Sequence, residues 1–164
     1  MKKVVAVLLI ALIFGVFASG CRKSIHDRAA EKMLEDMTEA DVDISGDGEN
    51  VTIETEDGTI SAGDSMDWPG DRMADLPEPD ATITGVVESG DGGCSVVFSG
   101  MSTADAEAYL VSVKSLGYTE NAMNMNDDES LWYVGATQDG ATVTFTYTNE
   151  TGDGMIAYAT ASGE

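Results

Sequence analysis

Residues 141–147 alternate strictly between apolar and hydroxyl-bearing side chains, and this two-residue period constrains the fold more than any other feature. The large apolar positions are Val143, Phe145 and Tyr147, and the positions between them are threonines. Successive side chains of a strand point to opposite faces of a sheet, so the segment predicts a strand with one buried face. Asp139-Gly140 directly precedes it and is a strong hairpin signal. The chain is therefore expected to build an antiparallel sheet.

The rest of residues 81–160 extends this pattern around one helix. Further strands are predicted over residues 82–88, 94–99, 118–123, 131–136 and 155–160. Ser102 or Thr103 is predicted to cap the helix, Asp105 lies in its first turn, and Gly117 ends it. Its predicted buried face consists of Ala106, Tyr109, Leu110, Val113 and Leu116. The order β-β-α-β-β-β-β predicts an α+β fold, an antiparallel sheet with one helix packed on it.

Three segments of different character precede this module. Residues 24–40 predict an amphipathic helix, whose stripe is expected to dock on the folded domain or on a partner helix. The stripe consists of Ile25, Ala29, Ala30, Met33, Leu34 and Met37. Residues 41–62 alternate Val and Ile with acids and predict an acidic β-hairpin region. Residues 63–80 contain Trp68 and three prolines, and they predict a linker.

The first 21 residues have the layout of a secretory signal. Lys2 and Lys3 are followed by an apolar run over residues 4–17 and then by Ala18-Ser19-Gly20-Cys21. The apolar run is shorter than the roughly 20 residues that a membrane-spanning helix needs, although a spanning anchor with a chance cysteine is the alternative. The predicted organisation is then a signal peptide over 1–20, a tether and helix over 21–40, and the segments 41–62, 63–80 and 81–164.

The small residues before Cys21 resemble the lipobox of bacterial lipoproteins. In that family a diacylglycerol is attached to the cysteine thiol, and the leader is cut just before it. The resemblance implies that Cys21 is the lipidated first residue of the mature chain, held in the cell membrane and facing outside the cytoplasm. Ala18 departs from the pattern, since leucine is commonest there. Acyl chains anchor well, because each buried methylene contributes about 0.8 kcal/mol.

The order of features after Cys21 is similar to that of a group of Gram-positive lipoproteins with a domain of unknown function. The matching features are the helix, the hairpin that begins Asp41-Val42-Asp43-Ile44, the linker with Asp67-Trp68-Pro69, and the phrase Ser115-Leu116-Gly117-Tyr118. The similarity covers most of residues 24–160. It implies an α+β architecture and a location in the cell envelope, and it transfers no catalytic or ligand-binding residue.

The chain is strongly acidic, with a formal net charge of −22. Loss of the leader removes Lys2 and Lys3 and no acid, which makes the charge −24. Four of the remaining basic residues lie close after Cys21: Arg22, Lys23, Arg28 and Lys32. The tether can therefore approach an anionic membrane that repels the rest of the chain. Nucleic acid is excluded as a partner, because no basic patch exists to replace the counterions of phosphates.

Cys94 is the one cysteine outside the lipobox. If Cys21 carries lipid, Cys94 has no disulfide partner, and its position in an alternating strand predicts a small buried apolar residue. A reactive cysteine needs a basic neighbour or a histidine. The only histidine, His26, lies in the predicted tether helix.

Residues 43–54 match the spacing of an EF-hand calcium loop. Its oxygen ligands would be Asp43, Ser45, Asp47 and Glu54, with Gly48 at the turn. The residues after the turn predict a strand, however, whereas an EF-hand continues into a helix. An ordinary β-turn in an acidic chain is therefore the preferred interpretation, and calcium is the alternative.

Other residues give weaker chemical signals. Residues 123–129 alternate Met and Asn before three acids, and they predict a solvated loop rather than a copper site, since no His or Cys accompanies the methionines. A stacking face for a sugar or peptide would use Trp68, Trp132, Tyr133, Tyr147 and Tyr158, although sheet packing is the preferred role for such residues. Carboxylate pairs for a hydrolase are always available in so acidic a chain, so they indicate nothing.

Together these features predict a non-enzymatic, membrane-anchored lipoprotein that binds a protein, peptide or glycan of the envelope. No cofactor is predicted. The alternatives are a calcium-binding or calcium-stabilised envelope domain and a hydrolase that uses carboxylates.

Overall fold

The computed structural model describes residues 41–43, 50–55 and 57–161. It contains nine strands: β1 (Asp41–Asp43), β2 (Asn50–Thr55), β3 (Gly58–Gly63), β4 (Thr82–Ser89), β5 (Cys94–Ser99), β6 (Glu120–Asn126), β7 (Ser130–Ala136), β8 (Thr142–Thr148) and β9 (Gly154–Ala159). One α-helix, α1 (Thr103–Ser115), and a 3-10 turn, Gly70–Arg72, complete the described elements. No described helix has the length and apolar character needed to cross a membrane.

All nine strands belong to one antiparallel sheet. Their order is β1-β2-β3-β4-β5-β9-β8-β7-β6, so β1 and β6 form its two edges. The two faces of the sheet follow from the register, because paired residues share a face and successive residues alternate. We call the side with Val96, Ile156, Phe145 and Tyr133 the helix face, and the side with Val97, Met155, Thr146 and Trp132 the open face.

Helix α1 lies on the helix face and closes the main core. The ring of Tyr109 stacks against Phe145, with ring centroids 5.3 Å apart. The Ser102 Oγ accepts a hydrogen bond from the amide of Asp105 at 3.2 Å, so Ser102 is the N-cap. Gly117 follows the helix with φ +94°, a left-handed conformation that terminates helices readily. The predicted caps are confirmed, and so is the predicted buried face for Ala106, Tyr109, Leu110 and Val113. Leu116 differs from the prediction, because it is the C-cap residue and is only partly buried.

The segment between β3 and β4 also covers the helix face. Met73 and Leu76 are buried in the main core, and the Tyr118 hydroxyl donates to Asp75 Oδ1 at 3.1 Å. The prolines keep this segment out of the sheet, as expected, but its apolar side chains pack against the strands. A segment predicted as a linker is therefore a layer of the fold.

The predicted class, one antiparallel sheet with one helix, is confirmed. The order of elements differs from the prediction, because β1, β2 and β3 join the same sheet and do not form a region apart. Strand β3 pairs with β4 from Gly58 to Ala62. The helix predicted over residues 24–40 lies outside the described residues.

Strand β6 is longer than the sequence predicted. The prediction placed a strand over 118–123 and a solvated loop over 123–129, whereas β6 continues to Asn126 and pairs with β7. The loop prediction is wrong for residues 123–126, because cross-strand pairing with an apolar β7 outweighs the low strand propensity of asparagine. Only Asp127–Glu129 remain as the turn between the two strands.

Candidate functional site

Strand β6 is an edge strand whose outer side has no partner among the described strands. It pairs only with β7, and every one of its residues is exposed. An unpaired edge presents a row of free amide and carbonyl groups, which is a ready template for another extended chain. The opposite edge, β1, is shorter, with only three residues.

Apolar side chains stand beside this edge on the open face. Met123 pairs with Val134, and Met125 pairs with Trp132. The methionines are 56% and 63% exposed, and the two β7 residues are half-buried. We call these four residues the methionine edge. Methionine is flexible and polarisable, so it adapts to partners of different shape.

The turn after β6 holds acidic side chains at one end of the strand. Asp127 Oδ1 accepts hydrogen bonds from the Ser130 amide at 2.8 Å, the Glu129 amide at 3.0 Å and the Ser130 hydroxyl at 3.2 Å. Asn149 Nδ2 donates to the carbonyls of Asp127 and Asp128 at 3.3 and 3.1 Å. These bonds fix the turn. The bonds from the Ser130 and Glu129 amides lower the pKa of Asp127 below its ordinary value.

The charge around β6 is negative at both ends. Glu120 begins the strand, and Asp127, Asp128 and Glu129 follow it, all exposed. The described part of the chain contains two basic residues, and both lie on the helix side. Arg72 Nε donates to Glu88 Oε2 at 2.8 Å, and Lys114 Nζ lies 4.9 Å from the centre of the Tyr133 ring. Neither side chain neutralises the acids that flank the methionine edge.

A second surface feature lies beside Trp68. A hollow of 490 Å³ is lined by Trp68, Pro69, Gly70, Asp71, Arg72 and Glu88. The indole packs against the main core, and the one cation of the hollow is already paired with Glu88. The hollow is open to solvent, and no unpaired cation lines it. It therefore offers a ligand fewer contacts than the β6 edge does.

The five aromatic residues proposed from the sequence do not form one stacking face. Tyr133 and Tyr147 are buried in the main core, and Tyr158 and Trp68 pack against it. Trp132 alone lies on the open face. The preferred interpretation, packing in the core and the sheet, therefore agrees with the positions of four of them, although Trp68 packs from outside the sheet.

Cys94 is buried on the helix face, with 2% of its surface exposed. Burial raises the pKa of its thiol to about 11, and the nearby Glu88 carboxylate adds to this increase. The thiol is protonated at neutral pH and is therefore a poor nucleophile. The predicted role of Cys94 as a small apolar core residue agrees with this position.

The structure describes only some of the other residues predicted to form sites. Cys21, Ser45 and Asp47 lie outside the described residues. Asp43 and Glu54 lie on β1 and β2, which pair with each other, and an EF-hand has helices at the corresponding places. No group of three or more His, Cys, Asp or Glu that could hold a metal occurs within the described ranges. Calcium binding stays a prediction.

The methionine edge was not predicted from the sequence, although a signal was present. The run Met123-Asn124-Met125-Asn126 alternates with the period of a strand and has one apolar side. That period places both methionines on one face, and the register with Trp132 shows which face.

Comparison of the chain with protein-family models, with curated proteins and with solved structures finds no match.

Proposed function

We propose that this protein is a membrane-anchored, non-enzymatic binding module that captures an extended, positively charged protein or peptide segment outside the cytoplasm. Cys21 is the anchor in this proposal, and β6 with the methionine edge is the binding surface. The observation that carries the proposal is that β6, exposed along its whole length and bearing Met123 and Met125, has no partner on its outer side among the described strands.

Three properties of the edge favour such a partner. An extended chain can add to β6 through main-chain hydrogen bonds, and its alternate side chains then fall on the methionine edge. Lysine and arginine in that chain can reach the acids at both ends of β6. The high negative charge of the protein also attracts a cationic segment over a distance and speeds its association.

The binding surface can be tested with a short capped peptide of alternating lysine and valine. The mature chain with Cys21→Ser serves as a soluble protein, and isothermal titration calorimetry gives the affinity. We expect binding that weakens as salt is added, because the attraction is between exposed charges. The same peptide with glutamate in place of lysine should not bind.

Variants locate the surface. Met125→Lys places a positive charge in the apolar strip, which repels the lysine peptide, and should weaken its binding about tenfold or more. Val111→Lys is the matched control, because Val111 is also a large exposed apolar residue but lies on α1. Equal affinity for both variants would show that the peptide binds elsewhere.

The anchor has a separate test. Mass spectrometry of the native N-terminus should find the chain starting at Cys21 with a diacylglycerol on its sulfur. An intact leader or an unmodified Cys21 would refute anchoring by lipid, and it would leave the proposal about β6 standing.

A further inference from the structure

Two apolar residues near one end of the open face are buried, whereas those near the other end are half-buried or exposed. The register places apolar residues of the β2–β3 hairpin and of β4 on this face: Val51, Ile53, Ile60, Ala62 and Val87. We call these five residues the hairpin patch. Ile53 is 4% exposed and Ala62 is 5% exposed, yet neither belongs to the main core.

Burial of this degree is not explained by the described elements. Val134 occupies the same row of the same face as Ile53, six strands away, and it is only half-buried. Helix α1 and residues 63–80 pack on the helix face, as their contacts with Phe145 and Tyr118 show. Ile60, on the strand next to Ile53, is likewise only half-buried. The sheet alone therefore leaves such a residue half-buried, and a further body covers the part of the hairpin patch around Ile53 and Ala62.

We propose that this body is the N-terminal helix of the same chain, which packs the apolar stripe of residues 24–40 on the hairpin patch. The position of the chain supports this occupant. Strand β1 begins at Asp41 and pairs with β2, so the described chain enters the sheet at the edge nearest the patch. The stripe ends at Met37, which leaves a short connection between helix and strand.

The dimensions of the helix fit the patch. A helix over residues 24–40 is about 25 Å long at about 1.5 Å per residue. Strands lie about 4.8 Å apart, so it is long enough to cover the hairpin patch in any orientation. The methionine edge, roughly 40 Å from β1 by the same spacing, stays uncovered.

The short connection to β1 favours this occupant over the two alternatives, because it holds the stripe close to the sheet at a high effective concentration. Residues 24–40 contain five acids and two bases, so their net charge is −3. A second copy of the chain would bring a net charge of −22 against the same charge, and an anionic membrane would also repel the domain. The packed helix would also fix the tether at the β1 side of the sheet, with β6 at the far side.

Cysteine labelling of the full chain tests this packing. Ile53→Cys and Val134→Cys each place a thiol on the same row of the open face. In detergent at low protein concentration, we expect a maleimide to label Ile53→Cys at least about tenfold more slowly than Val134→Cys. Adding Leu34→Asp or Met33→Asp to the stripe should remove this protection, and Glu35→Asp, on the side of the helix opposite the stripe, should not.

Cys94 is the internal control for folding in the same samples, because it should remain unlabelled in every variant. Equal labelling of the two thiols in the unaltered chain would overturn the proposal. Protection that survives both stripe substitutions would also overturn it. Protection that appears only at high protein concentration would assign the patch to a second copy, and protection that appears only in anionic vesicles would assign it to the membrane.

Discussion

Two buried tyrosines differ in whether their hydroxyl has a partner. The Tyr133 hydroxyl donates to the carbonyl of Tyr118, which joins β7 to the turn before β6. The hydroxyl of Tyr109 on α1 is buried and has no hydrogen-bond partner among the described residues. Burying a polar group without a hydrogen bond costs free energy. The Tyr133 hydroxyl therefore stabilises the folded protein, and the Tyr109 hydroxyl destabilises it.

We therefore expect opposite effects from the same substitution. Tyr133→Phe should lower the free energy of unfolding by about 1–2 kcal/mol, because it leaves the Tyr118 carbonyl without its bond. Tyr109→Phe should leave the free energy unchanged or raise it by up to about 1 kcal/mol. Urea unfolding measures both, and a clear loss of stability in Tyr109→Phe would show that its hydroxyl has a partner in solution.

Asp127 should give the β6–β7 turn a dependence on pH. Its pKa in the folded protein is below the ordinary value of 3.8, so the ionised form favours the folded turn. This contribution is complete above the ordinary pKa and is lost as the pH falls through the lower folded value. Asp127→Asn keeps one acceptor oxygen but removes the titration.

Hydrogen exchange of the Ser130 amide measures this effect. Protection should fall with acid in the wild type, after correction for intrinsic exchange, and should be smaller but independent of pH in Asp127→Asn. If acid reduced the protection of the Ser130 amide equally in both proteins, the effect would come from a titrating group other than Asp127.

At the scale of elements, β7 can approach the turn before β6 only because residue 135 is glycine. A Cβ at Gly135 would lie 2.2 Å from the Tyr118 carbonyl oxygen and 2.8 Å from the Tyr133 hydroxyl. The backbone must move to relieve such a contact. Overpacking of this kind usually costs about 1–3 kcal/mol.

We expect Gly135→Ala to destabilise the protein by an amount in that range and to weaken the β6 edge. Thermal unfolding gives the stability, and binding of the lysine–valine peptide reports on the edge. Gly100→Ala is a useful comparison, because its Cβ would meet nothing within 4 Å, although its φ of +76° carries a conformational cost of its own. Full peptide affinity in Gly135→Ala would mean that the contact with Tyr118 does not position β6.

The elements differed in how well the sequence predicted them. Helix α1 was predictable from its cap at Ser102, its stripe and Gly117, because these signals are local. Strand β8 was predictable from its period. Strand β6 was predicted only to Met123, because asparagine and acids suggest a loop when the pairing with Trp132 is unknown.

At the scale of the whole molecule, the sheet is larger than the sequence indicated. Strand β3 pairs with β4 across the segment 63–80, as in Ala62 with Gly85. A pairing between residues so far apart leaves no local pattern, and the prolines of that segment suggested a break between two regions. The methionine edge depends on the same kind of information, since its face is known only from the register.

The net charge predicts that salt affects stability and binding in opposite directions. Repulsion among the acids opposes folding, so raising sodium chloride from about 0.05 M to about 0.5 M should raise the melting temperature. Binding of the cationic peptide should weaken over the same range.

Calcium serves as a further control on the melting temperature. A rise in melting temperature that is larger with calcium than with magnesium, and that is absent in Glu54→Gln, would support the calcium alternative.

Hydrogen exchange of the β6 amides tests the central claim most directly. In the free protein the outward amides of β6 have no strand partner among the described residues and should exchange quickly. Saturation with the lysine–valine peptide should slow the outward amides of β6 about tenfold or more, and should leave the amides of the Trp68 hollow unchanged. Peptide binding that leaves the β6 amides unprotected would contradict the claim.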